Sequence, residues 1–125
     1  MLSDEWGEDR DLRARTKRFA LRIISLHVAI KNDDTARVLR NQLLRSGTSV
    51  AAQYREACRA RSRAEFISKI ESATQELDES ALWMELLVES GLVATARLSD
   101  LQREAEEIMS MLVSSAKTSK DRRER

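Results

Sequence analysis

No proline occurs anywhere in this 125-residue chain, and its three glycines, Gly7, Gly47 and Gly91, stand far apart. A β-sandwich or a loop-rich fold needs turn residues at short intervals, so a chain without them is confined to long, uninterrupted elements. The apolar residues say which kind. Leu12, Phe19, Ile23, Leu26 and Ile30 recur at steps of three, four and seven, the spacing of one buried face of an α-helix. The chain is expected to be all-α and, at this length, a single domain.

Four helices can be read in order. The first covers residues 11–31. Asn32, Asp33 and Asp34 break it, and either aspartate can cap the second helix, residues 35–60, by accepting a free backbone N–H. Leu39, Leu43, Ser46, Val50, Gln53 or Tyr54, and Ala57 make the inner face of that helix. Ser62 and Glu65 have the S-x-x-E spacing of a capping box and open the third helix. Its stripe is Phe66, Ile70, Ala73, Leu77, Ala81, Met84 and Leu87 or Val88, and Gly91 is placed to end it. Ser99 and Gln102 repeat the capping spacing before a fourth helix with Leu101, Ala105, Ile108, Met109 and Leu112 on its apolar face. Short connections make neighbouring helices antiparallel, so the expected architecture is an up-down-up-down four-helix bundle over residues 11–116. Residues 1–10 read as an N-terminal tail. Residues 117–125 read as a basic C-terminal tail without core residues, expected to fray.

Net charge is only +1, so no global field draws the chain to nucleic acid. The distribution is uneven, however. Residues 37–69 carry eight cations against Glu56 and Glu65, and residues 71–107 carry ten anions against Arg97 and Arg103. Such polarity can close a domain on itself, bind a polyanion, or join one subunit to the next. The lone cysteine, Cys58, excludes an intrachain disulfide framework and fits a reducing compartment. The acidic N-terminus lacks the basic-then-apolar order of a signal peptide. No run approaches the roughly 18 apolar residues of a spanning helix. A cytoplasmic location without membrane contact is the expectation.

Catalytic constellations are missing. A di-metal bundle needs Glu-x-x-His pairs, and His27 is the one histidine. Cys58 has arginine neighbours but no base or oxyanion site at a recognisable spacing. No two glycines are close enough for a phosphate loop. The expectation is therefore a protein that is not an enzyme, with no catalytic residues, no metal and no cofactor. Glu56, Glu76 and Glu79 read as a salt-bridge set with Arg55, Arg59 or Lys69 rather than as a polar site.

The strongest functional candidate is Arg55, Arg59, Arg61 and Arg63, gathered where the second helix gives way to the third. Arginine forks pair with phosphate oxygens, and several such contacts give salt-dependent binding without sequence preference. The competing reading makes them a subunit interface or a solvated face. Trp83 and Tyr54 are of the type enriched at binding hot spots, though core packing explains Trp83 nearly as well. Gly47 and Ala51, four apart, suggest a close helix–helix approach.

The run RNQLLRSGTSVAAQYREACRARSRAEF, residues 40–66, resembles the bacterial four-helix bundle proteins of the ribosomal RNA intervening-sequence family. Their hallmark is a small-residue stretch, an amide, an aromatic or aliphatic residue, a spacer and a glutamate, then a basic turn and S-x-x-E-F. Here these are Ser49 to Ala52, Gln53, Tyr54, Arg55, Glu56, Arg61, and Ser62, Glu65 and Phe66; the pattern continues through Glu76, Asp78 and Glu79 to Trp83, Glu85 and Leu86, and on to Gly91 and Leu92. Where the family usually has asparagine this chain has Gln53, an amide of longer reach. The resemblance implies a left-handed bundle that assembles into a homo-oligomeric ring, often a pentamer. Relatives include the accessory protein of diversity-generating retroelements, which binds nucleic acid and partners a reverse transcriptase. The resemblance thus implies self-association as a nucleic-acid-binding scaffold for RNA or DNA, with a nucleic-acid enzyme such as a reverse transcriptase as a further partner. The alternative is a protein-binding adaptor or structural ring without a nucleic-acid role.

Overall fold

The computed structural model describes residues 10–123, with side chains described for residues 12–122. Four helices follow one another: α1 (Arg10–Ala29), α2 (Asp34–Cys58), α3 (Arg63–Glu89) and α4 (Thr95–Arg123). Each packs on the next, and a thinner contact between α1 and α4 closes the bundle. At about 1.5 Å per residue α3 is about 40 Å long. No described helix is long and apolar enough to cross a membrane.

The core is the periodic stripe read from the sequence. Leu12, Phe19, Ile23 and Ile30 of the first helical run meet Leu43, Val50 and Tyr54 of α2, Phe66, Ile70, Leu77 and Met84 of α3, and Leu98, Ile108 and Leu112 of α4 in one buried cluster. Of the two neighbours left open on α2, Tyr54 is the core residue, with no exposed surface. Gln53 is half-buried beside it, its amide oxygen enclosed without a donor among the described residues.

Backbone chemistry sets the helix ends. Asp33, not Asp34, caps α2 by accepting the Ala36 N–H at 3.0 Å. Ser62 accepts the Glu65 N–H at 3.0 Å and so starts α3. Gly91, at φ +79°, ends α3 in a conformation that a side chain would strain. Its N–H bonds to the Val88 carbonyl at 3.0 Å, and Leu92 N–H reaches the Leu87 carbonyl at 3.1 Å. These are the two bonds of a Schellman turn.

Close approach between helices relies on small residues. A Cβ added at Gly47 would lie 2.9 Å from Cγ1 of Ile23, so only glycine lets α1 seat this deeply on α2. Between α2 and α3 the buried hydroxyls of Ser46 and Ser80 share a 2.8 Å hydrogen bond.

Two expectations at α4 are corrected. The helix begins at Thr95, so Ser99 lies inside it and caps nothing. Val93 and Leu98 are both buried; the chain is drawn into the core directly after the Gly91 turn, and the helix starts before the capping spacing is reached. At the other end, the supposed frayed tail is helical to Arg123. Ser115, Ala116 and Ser119 are buried, continuing the inward face with small side chains, and Lys120 Nζ holds Glu71 of α3 at 3.0 Å. Of the expected N-terminal tail, residues 1–9 lie outside the described residues, as do residues 124 and 125, while Arg10 already belongs to α1.

Candidate nucleic-acid interface

Arg55, Arg59, Arg61 and Arg63 fall at the α2–α3 turn, but the structure does not leave them equivalent. Arg61 is 91% exposed, and Glu65 stands 3.9 Å from its guanidinium. The same Glu65 carboxylate accepts the Arg61 backbone N–H at 3.4 Å, one residue before the position a standard capping box uses. Arg63 is half-buried, with its Nε enclosed and without an acceptor among the described residues. Arg55 and Arg59 are exposed. No described carboxylate forms an ion pair with either.

The remaining charges of this region are largely spoken for. Glu56 takes Lys69 Nζ at 2.9 Å, as the salt-bridge reading expected for that pair. Glu76 and Glu79 instead hold Arg45 of α2, at 3.1 and 2.6 Å. The Glu79 hydrogen bond raises the Arg45 pKa, and the Glu56 hydrogen bond raises that of Lys69, so both stay cationic at any ordinary pH. On the far side of α1, Arg15 forks onto Glu104 at 2.7 Å and also reaches Glu107 at 2.7 Å. The fork holds the Glu104 carboxyl below its ordinary pKa, the Arg15 hydrogen bond being the largest cause.

The topology then adds cations that no contiguous stretch of sequence could gather. The start of α1 and the end of α4 lie at the same end of the bundle as the α2–α3 turn, bringing Arg13, Lys17, Lys117 and Arg122 to it. In that half, residues 12–19, 46–75 and 104–122, the last begun at Glu104 because it touches Arg15, twelve cations face seven anions; in the other half, residues 20–45 and 76–103, seven cations face eight. The described residues are thus more positive at one end of the bundle than at the other, which favours a polyanion at that end. A groove of about 550 Å³ between α3 and α4 is lined by Asp78, Glu85 and Glu106 against the single cation Arg103, a balance unfavourable to phosphate.

The remaining candidate residues are structural in place and contact. Tyr54 and Phe66 are wholly buried, and Trp83 is half-buried against the core with its indole N–H enclosed. His27 Nε2 lies 2.8 Å from Asn41 Oδ1, tying α1 to α2. Cys58 is a buried free thiol. Among the described residues no three His, Cys, Asp or Glu side chains converge as metal ligands.

Comparison with known proteins points the same way as the fold. The family model described as 23S rRNA-intervening sequence protein matches residues 8–114. Among solved structures, a protein of unknown function from the S23 ribosomal protein family of Bacteroides thetaiotaomicron is 35% identical, with a TM-score of 0.80; the match covers 85% of this chain and 98% of that one. A search of functionally curated proteins gives no match.

Proposed function

The chain belongs to the 23S rRNA-intervening sequence protein family, and from that premise we propose that it is a non-enzymatic scaffold that binds RNA or DNA through the positive end of its bundle. One observation carries the reading. Arg55 and Arg59 are exposed and have no carboxylate partner among the described residues, while Arg15, Arg45 and Lys69 are all held by glutamates. Cations left unneutralised where positive charge concentrates are those free to exchange counterions for phosphate.

The scaffold is a homo-oligomer in this reading, and the ring expected from the family resemblance is its simplest form. Apolar side chains on opposite sides support self-association: Leu21, Ile24 and Val28 on α1, and Leu82 and Leu86 on α3, are all exposed. Unlike faces that meet head to tail close into rings when the rotation per subunit allows. A native mass spectrum of the protein, with and without nuclease, tests subunit number and bound nucleic acid together. Binding itself is tested by titrating an oligonucleotide at several salt concentrations. Affinity should fall steeply with salt, and the double variant Arg59→Glu/Arg61→Glu should lose it; undiminished binding would remove these residues from the site.

The same exposed apolar faces favour a second reading, a protein-binding adaptor. A bare oligomer that retains a stoichiometric protein partner after nuclease treatment is its signature.

A further inference from the structure

We infer that the seam between α1 and α2 at the positive end is a nucleic-acid backbone site in which Arg13 and Lys17 of α1 join Arg55 of α2 and Arg59, the residue that caps its C-terminus. The inference rests on the nucleic-acid reading above and adds residues more than 35 positions away in sequence.

The register of the seam comes from one contact. His27 of α1 meets Asn41 of α2 at 2.8 Å. Residues seven apart on a helix share a face, so Arg13, Ala20 and His27 run along one flank of α1, and Asn41, Thr48 and Arg55 along one flank of α2. The helices are antiparallel, so two heptads back from His27 and two forward from Asn41 lead to the same level. Arg13 therefore stands across the seam from Arg55 as His27 stands across from Asn41. The half-buried state of Arg13, Ala20 and His27 fits a flank against a neighbouring helix. Lys17 lies one turn inward on α1 and Arg59 caps α2 about one turn beyond Arg55, which makes a cationic track about 12 Å long.

No described carboxylate faces this track in an ion pair. Glu56 is turned to Lys69 of α3 and Glu65 to Arg61. Glu104 and Glu107 hold Arg15 on the opposite flank of α1. Like charges facing each other in this way weaken the free protein, and an anion between them relieves the repulsion. Two arginine forks suit the paired oxygens of a phosphodiester, and Lys17 adds a point charge. The surroundings also bear on what is read. Tyr54 and Phe66 are fully buried, and Trp83 lies in the negative half, so no described aromatic is available there for base stacking. The four cations thus suit the backbone rather than the bases.

The test uses the full chain and a labelled 20-nucleotide oligo(dT), with anisotropy read across salt concentration and melting temperature read without ligand. The Arg13→Gln/Lys17→Gln variant should bind about tenfold more weakly at low salt, and its salt slope should fall by about 1.4, two single-strand contacts. Its melting temperature should be equal to or higher than that of the parent, which a merely structural role would not produce. The Arg97→Gln/Arg103→Gln variant, which removes the same charge from the negative half, should bind normally. If the double variant does not fold, the exposed Lys17→Gln alone should reduce the slope by about 0.7. Parent-like binding by Arg13→Gln/Lys17→Gln, with loss in Arg59→Glu/Arg61→Glu, would overturn the seam and leave the broader reading standing. Absence of binding by the parent overturns both. Equal weakening by the Arg97/Arg103 variant, or equal competition by polyglutamate of matched charge, would also reject a phosphate site on this seam.

Discussion

Arg13 and Arg15 stand two residues apart on α1, yet they face different helices and different chemistry. The flank bearing Arg15 turns to α4 and meets Glu104 and Glu107. Arg15 and Glu104 have less than a fifth of their side-chain surface exposed, and their charge is spent on closing the bundle. The flank bearing Arg13 turns to α2, at the level of Arg55 in the register proposed above, with no described glutamate between them. Residue type is therefore a poor guide to role in this molecule. What separates a structural arginine from an available one is whether the facing helix offers a carboxylate at that level.

Both flanks depend on the seat of α1 against α2, so the largest effect should come from breaking that seat. Gly47→Leu forces a side chain into Ile23 and should cost about 3 kcal/mol in chemical denaturation. A parent-like midpoint would mean that α1 does not rest on Gly47 as described. Next comes the structural flank alone: Arg15→Gln should lose about 1–2 kcal/mol at neutral pH while leaving oligonucleotide binding intact. The pH dependence follows from the depressed Glu104 pKa. Its contribution is fully present above the ordinary glutamate value of about 4.3 and is lost as pH falls through the lower folded value. Parent and Arg15→Gln stabilities should therefore converge in strong acid; a constant gap would detach the loss from this ion pair.

At the turn itself, Ser62→Ala should cost about 1 kcal/mol by uncapping α3, measurable as a lower midpoint with no change in salt slope. The smallest effect sharpens the contrast most. Arg55→Glu supplies the carboxylate that the Arg13 flank lacks, making it resemble the Arg15 flank. The new ion pair opposes the cost of an anion in the last turn of α2, so stability should change by less than about 0.5 kcal/mol while oligonucleotide affinity falls. A variant that is both less stable and still binding would place Arg55 away from Arg13.

The fold was largely legible because its determinants are local. Leu12 to Ile30, the Ser62 cap and the Gly91 stop are patterns within a few turns of helix, and each appears where periodicity puts it. The fourth helix was misread at both ends for a physical reason. Ser99 and Gln102 have capping spacing but lie behind a start dictated by burial of Val93 and Leu98, and Ser115 and Ser119 are polar residues that pack as small ones. The candidate site was legible only in its contiguous half. Arg55 and Arg59 stand out in sequence, whereas Arg13 and Lys17 reach them only through the antiparallel α1–α2 register. Capture of Arg45 by Glu76 and Glu79, more than 30 positions away, was equally out of view.

The closing contact of the bundle also sets an order of events during synthesis. Arg15 is joined to residues 89 and 92 positions further along the chain, so its partners emerge from the ribosome only after the first three helices have been made. The earlier pairings, α1 on α2 and α2 on α3, link neighbouring hairpins and can form as soon as each is released. A nascent chain thus passes through a three-helix stage with one side of its apolar core uncovered. That side stays open until α4 follows and covers it.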